Sequence, residues 1–200
     1  MSENFENIEE NNEELSMDMI RLLTIDDFCQ LLSTPAPVPG GGSVSAYVAS
    51  LGAALAGMVA NLTSGKKKYA EYQDEIEDII KAANILREDL MEGISKDAES
   101  FLPLAGAYSL PANTEEEKRI KEKTLEELLV VAASAPLELI KKIIPAMEIL
   151  ERLTDIGTKL AISDVGTGLL LCDAAATAAA LNVYCNTKLM KNRELANKMD

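Results

Sequence analysis

The chain has 200 residues, enough for one domain with a substantial core; 48% are apolar, only 4% are aromatic, and Trp is absent. Such a core must be aliphatic and alanine-rich, which suits packed helices better than a β-sandwich. The net charge of −14 argues against a nucleic-acid or anionic-membrane partner, and the lack of histidine excludes Ser-His and Cys-His catalysis and the usual zinc sites.

Residues 1–20 hold Glu3, Glu6, Glu9, Glu10, Glu13, Glu14 and Asp18, with no Lys or Arg, so half of the net charge lies there. This Asn-rich segment lacks periodicity and reads as a disordered acidic lead-in, with residues 21–200 forming the folded domain. It has none of the features of a signal peptide, and Cys29, Cys172 and Cys185, odd in number and widely spaced, read as reduced core residues of a cytoplasmic protein.

Thr24-Ile25-Asp26-Asp27 predicts the cap of a short helix reaching about Ser33, with Ile25, Phe28, Leu31 and Leu32 on its inner face. Then comes Pro37-Val38-Pro39-Gly40-Gly41-Gly42-Ser43, and behind it Val44 to Leu62, a run without a charged residue. The prolines hold their neighbours extended, and the glycines leave room for a close approach to the main chain. Ser43 is the expected N-cap, and the helix start offers unpaired N–H groups to an anionic or carbonyl-bearing ligand. A tight capped loop with nothing bound is the competing reading. The run has the length of a membrane span, but its Gly, Ala and Ser content and Asn61 favour a buried helix of a soluble bundle, approached closely by others. It ends near Thr63-Ser64-Gly65.

Lys66-Lys67-Lys68-Tyr69 reverses the local charge, either as a solvated turn or as a cradle for a carboxylate or phosphate. From about Glu71 to Tyr108, Ile76, Ile80, Ala83, Leu86, Leu90 and Ile94 recur at helical steps, and the stripe continues to Asp97 and Phe101, while Lys96 and Glu99 point elsewhere. A carboxylate on an apolar stripe is costly unless paired, hydrogen-bonded or protonated. Asp97 is therefore either a satisfied structural acid or an acid–base group with a raised pKa.

Thr114-Glu115-Glu116-Glu117 predicts a capping box opening a helix to about Ser134. Pro136 starts another, which Pro145 kinks or splits. A last long helix runs from about Ser163-Asp164 to Leu189, and Lys191 to Asp200 read as a frayed polar end. The fold class is all-α: a single-domain antiparallel helical bundle with two Ala/Gly-rich buried helices that pack close together or form the seam of a dimer.

In order along the chain, Pro37 to Ala46, Met58-Val59-Ala60-Asn61-Leu62-Thr63, Gly65 to Tyr69, Lys96-Asp97-Ala98-Glu99-Ser100-Phe101, Leu110-Pro111 and Thr114 to Lys118 resemble the cyclodeaminase/cyclohydrolase family of folate one-carbon enzymes. Ala135-Pro136-Leu137, Ser163-Asp164 and Asn182 to Asn186 extend the resemblance, which is collinear from about Thr24 to Leu189. It departs from the family pattern at the inserted Val38, at Gly157-Thr158, and in the shortness of the chain beyond Asn186.

The resemblance implies an all-α homodimer that binds reduced folate near the glycine loop, with Asp97 as the proton acceptor. It implies hydrolysis of 5,10-methenyltetrahydrofolate to 10-formyltetrahydrofolate or, alternatively, ammonia release from 5-formiminotetrahydrofolate. Neither reaction calls for a metal or redox cofactor. On this reading Gly40, Gly41, Gly42 and Ser43 face the pterin or bridging group, and Lys66 and Lys67 meet the glutamate tail. Asp164 supports the site or merely caps the last helix, and Asn182 and Asn186 line the site or join helices. The stand-alone chain favours the cyclohydrolase. The rival of another class is a non-catalytic helical scaffold.

Overall fold

The computed structural model describes residues 17–200, which form helices and connecting turns with no strand among them. The expectation of a disordered acidic segment falls mainly on residues 1–16, outside the described residues. Residues 17–20 form a single helical turn, α1 (Met17–Ile20), whose Ile20 is buried. α2 (Ile25–Leu32) follows, capped as its sequence predicts: the Asp27 N–H donates to Thr24 Oγ1 at 3.2 Å, and that hydroxyl donates to Asp27 Oδ2 at 2.7 Å. Of its expected inner face, Phe28 is buried against Tyr47, ring centroids 5.5 Å apart, but Ile25 and Leu32 are exposed. Two helical turns lying on a bundle bury one narrow row, and these two residues project off it.

Four long helices make the body: α3 (Gly41–Thr63), α4 (Gln73–Ala107), α5 (Glu115–Ile156) and α6 (Ile162–Thr187). Their register is antiparallel around the bundle. Gly42 faces Asp97 and Gly57 faces Ala83 across α3 and α4; Gly93 faces Leu139 and Glu75 faces Arg152 across α4 and α5; Leu150 faces Gly168 across α5 and α6; Gly52 faces Cys172 across α6 and α3. This is the up-down-up-down bundle expected when neighbouring helices are joined by short turns.

The small residues of α3 serve close packing. A Cβ on Gly52 would lie 2.5 Å from Cys172 Sγ and 3.1 Å from the Gly168 carbonyl, so a side chain there would force α3 and α6 apart. α6 buries Val165, Gly168, Cys172, Ala175, Ala179 and Val183 and turns its other face outward. Both α3 and the stretch Lys159–Thr187 are long and apolar enough to cross a membrane, with mean hydropathy 1.6 and 1.4. The first is 61% buried within the bundle and the second 28%.

Four local expectations are corrected. The N-cap of α3 is Gly40, with extended backbone at φ −128°, and Ser43 lies inside the helix. α5 is one helix of 42 residues that runs through Pro136 and Pro145. Proline at 136 removes the N–H that would bond the Ala132 carbonyl, and Asn186 of α6 supplies the missing donor through Nδ2 at 3.1 Å. Of the three cysteines only Cys172 is buried; Cys29 and Cys185 sit on the outer sides of α2 and α6. The C-terminal end is a further helix, α7 (Arg193–Met199), started by the Asn192 side chain accepting from the Leu195 N–H. Glu126 anchors its approach by accepting from the Lys191 and Asn192 N–H groups at 2.7 and 2.8 Å, and Ala196 is fully buried. Gly65, at φ 73°, makes the turn that ends α3 as expected.

Candidate active site

The register of α3 against α4 places the Asp97 carboxyl group on the backbone of Gly42. A Cβ at position 42 would lie 1.9 Å from Asp97 Oδ1, 2.4 Å from Cγ and 2.8 Å from Oδ2, so the site exists only because residue 42 has no side chain. Ser43, fully buried, donates its hydroxyl to Asp97 Oδ2 at 2.9 Å and stands 3.3 Å from the Ile94 carbonyl. The first turn of α3 thus serves an acid of the protein itself. The sequence reading gave Gly42 and Ser43 to the ligand; here the N-terminal end of α3 and the Ser43 hydroxyl hold Asp97, and Gly42 also lines the cleft that Asp97 faces.

Two opposed influences act on that acid. Burial disfavours its charge and pushes its pKa above the ordinary aspartate value; the Ser43 hydroxyl and backbone N–H pull it down, and burial is the larger. Asp97 is half-buried, with one side on the helix start and the other on a cleft of about 280 Å³. Gly93, Asp97 and Ser100 of α4 form one wall; Ser134, Pro136 and Leu139 of α5 form the other. Lys96 and Lys142 also border it. A group held here meets an acid that resists ionisation, set among apolar walls.

Asn182 and Asn186 flank this region. The Asn182 amide lies 3.5 Å from where a Cβ on Gly41 would sit, so α6 closes over the glycine segment beside Asp97. Asn182 Nδ2 donates to Ala178 O at 2.9 Å, and Asn186 Nδ2 donates to both Ala132 O and Asn182 O. Asn186 therefore joins helices beneath the cleft wall that Pro136 forms. Gly40 is open on the side its missing side chain would take, with nothing within 4 Å.

Lys66, Lys67 and Asp164 are not brought to this place within one chain. Lys66 and Lys67 lie past the far end of α3, about 35 Å from Gly42 at 1.5 Å per helical residue. Lys66 Nζ donates to Thr158 Oγ1 at 3.2 Å, and the Thr158 N–H donates to Thr63 Oγ1 at 2.9 Å. Asp164 stands in the first turn of α6 at the same end, where no side chain caps the helix. Within one chain, the length of α3 keeps these three at the opposite end of the bundle from Asp97.

The α5 wall and the lysines were missed. Lys96 points partly to solvent, as its place beside the stripe implies, yet it borders the cleft. Val131, Ala135, Glu138 and Lys142 follow one another at steps of three and four on α5, a face that hydropathy alone leaves undistinguished because its residues are mixed in character.

A family model described as formiminotransferase-cyclodeaminase matches residues 24–200. The chain belongs to that family. It is 38% identical over 175 residues to the methenyltetrahydrofolate cyclohydrolase of Methylorubrum extorquens, covering 88% of this chain and 84% of that protein. It is 31% identical over 163 residues to the formimidoyltransferase-cyclodeaminase of Rattus norvegicus, covering 82% of this chain but only 30% of that longer protein. Among solved structures, the formiminotetrahydrofolate cyclodeaminase of Thermotoga maritima superimposes with a TM-score of 0.78 at 32% identity, covering 88% of this chain and 84% of that one. The resemblance drawn from the motifs and the all-α bundle are both borne out.

Proposed function

We propose that this member of the formiminotransferase-cyclodeaminase family is a methenyltetrahydrofolate cyclohydrolase with Asp97 as its acid–base group. The observation that carries the reading is the placement of that carboxyl group, fixed between Gly42 and Ser43 and facing an otherwise largely apolar cleft. The Methylorubrum extorquens relative, matched over most of both chains, bears the name of this activity.

The chemistry balances with water and protons. Asp97 takes a proton as water adds to the cationic carbon bridging N5 and N10, forming the C–O bond. The tetrahedral carbon then expels N5, to which the carboxylic acid returns the proton, while the remaining hydroxyl proton of the former water leaves to solvent as the C=O forms, so that a formyl group stays on N10 and one proton is released overall. The carboxylate also stabilises the cationic substrate across a cleft with little water to screen it. No electron changes hands, so the reaction calls for no redox cofactor. A non-catalytic scaffold has no use for an acid held against burial at the cleft wall.

The test is direct. Purified protein mixed with 5,10-methenyltetrahydrofolate is expected to accelerate the loss of its near-ultraviolet absorbance well beyond the buffer rate. Parity with buffer would overturn the reading. The likeness to cyclodeaminases keeps a second reading open, in which the same acid serves N10 attack on a formimino carbon. Ammonia release from 5-formiminotetrahydrofolate, with no turnover of the methenyl compound, selects it.

We assign the protein to the cytoplasm as a homodimer. In support, α6 leaves Leu170 and Leu181 more than half exposed on an apolar helix, a face that a second copy would cover.

A further inference from the structure

Lys142 stands out among the groups around the cleft. It is a half-buried lysine on the cleft wall of an acidic protein, yet among the described residues it forms no ion pair. Its one hydrogen bond is long, to the Asp89 backbone carbonyl at 3.5 Å. The neighbouring charges are otherwise engaged. Glu138 is paired with Lys141 at 2.6 Å, and Glu92 with Lys96 at 3.0 Å. Glu92 also feels Lys142 and Arg21, so three cations crowd one carboxylate beside the cleft. An ammonium has three donors and gains most from an anion when partly removed from water.

Position adds to this. Lys142 reaches α4 at Asp89, eight residues from Asp97, or about 12 Å along the helix axis. A cleft of about 280 Å³ is at the lower limit for a small-molecule site, so it takes the reacting end of an elongated substrate and leaves the rest at the rim. We infer that Lys142, assisted by Lys96, binds the carboxylates of the glutamate tail of the reduced folate, in the same chain whose Asp97 meets the bridging carbon. This rests on the folate reading above, and it moves tail recognition away from Lys66 and Lys67.

The experiment compares two substrates, the methenyl derivatives of tetrahydrofolate and of tetrahydropteroate, which share the pterin and aminobenzoyl groups and differ by the glutamate. Wild-type protein is expected to prefer the folate in KM by about 10- to 100-fold. In Lys142→Met, which keeps the apolar stem, the KM ratio of the two substrates should fall toward one, and Lys142→Arg should restore much of the preference. A K142M variant that keeps the wild-type ratio, or that raises both KM values alike, overturns the proposal. So does a ratio that collapses only in the double variant Lys66→Ala with Lys67→Ala. Calorimetric binding of tetrahydrofolate and tetrahydropteroate separates the two levels of inference. A Lys142-dependent binding preference without turnover upholds the tail site and removes the cyclohydrolase reading; binding of neither removes both.

Discussion

Replacing Gly42 with alanine tests the active-site geometry with a single methyl group. The new Cβ would stand 1.9 Å from Asp97 Oδ1, and an ordinary contact of at least 3.4 Å requires the carboxyl group to retreat by about 1.5 Å. That movement breaks the 2.9 Å hydrogen bond from Ser43 and swings the acid into the cleft. Displacements of about 1 Å can cost about 100-fold in rate, so kcat is expected to fall by at least that much. The fold should survive. Alanine within a helix is favoured over glycine by about 1 kcal/mol, which offsets part of the lost charge-assisted hydrogen bond, worth about 1.5–3 kcal/mol. The neighbouring glycines are the controls: a Cβ on Gly41 meets Asn182 at an ordinary 3.5 Å, and one on Gly40 meets nothing within 4 Å. Turnover of methenyltetrahydrofolate, with helical circular dichroism as the check on folding, should therefore rank Gly40→Ala and Gly41→Ala far above Gly42→Ala. Equal damage at all three positions, or a fully active Gly42→Ala, would refute the claim that the missing side chain seats the acid.

Asp97→Asn should lower kcat by about 10²- to 10⁴-fold while leaving helical content intact; undiminished turnover removes Asp97 from the mechanism. In the wild type the acid limb of the pH–rate profile should lie above the ordinary aspartate pKa, because the base must be ionised and burial opposes ionisation. The same shift sets a stability trend. A pKa raised by folding means that the native state holds the proton more tightly, so Asp97's favourable contribution is present below its unfolded pKa and lost as pH rises through its folded value. The Asp97→Asn variant should accordingly melt no lower than wild type at neutral pH; a clear loss there contradicts the burial cost. Asn186→Ala strands the Ala132 carbonyl and should cost about 1–3 kcal/mol, read as a lower melting temperature. In a Pro136→Ala background, where the backbone N–H returns, that cost should shrink, and an unchanged cost shows that Asn186 stabilises by other means. Leu170→Glu with Leu181→Glu should convert a dimer to a monomer in light scattering, and an unaltered mass moves the dimer seam off α6.

How much was legible in the sequence depends on how local the cause is. The stripe from Ile76 to Ile94 gave α4 its inward face and carried Asp97 with it, because both follow from one helical period. The Thr114 capping box was legible for the same reason, four consecutive residues sufficing to state it. The continuity of α5 was not: proline reads as a break, and its compensation comes from Asn186, fifty residues away on another helix. The α5 wall and Lys142 likewise depend on which turn of α5 meets which turn of α4, and no single helix encodes that register. Lys66 and Lys67 are a different case. The length of the uncharged run already separates them from Gly42, and family likeness joined what helix geometry holds apart within one chain.

The crossing of α3 and α6 at Gly52 has a use of its own. Cys172 is sealed there, and burial pushes its thiol up to about 11, whereas Cys29 and Cys185 stand open. Alkylating reagents will therefore label Cys29 at once and Cys172 only when these rods part. The slow Cys172 adduct is a built-in clock for how often the heart of the bundle breathes.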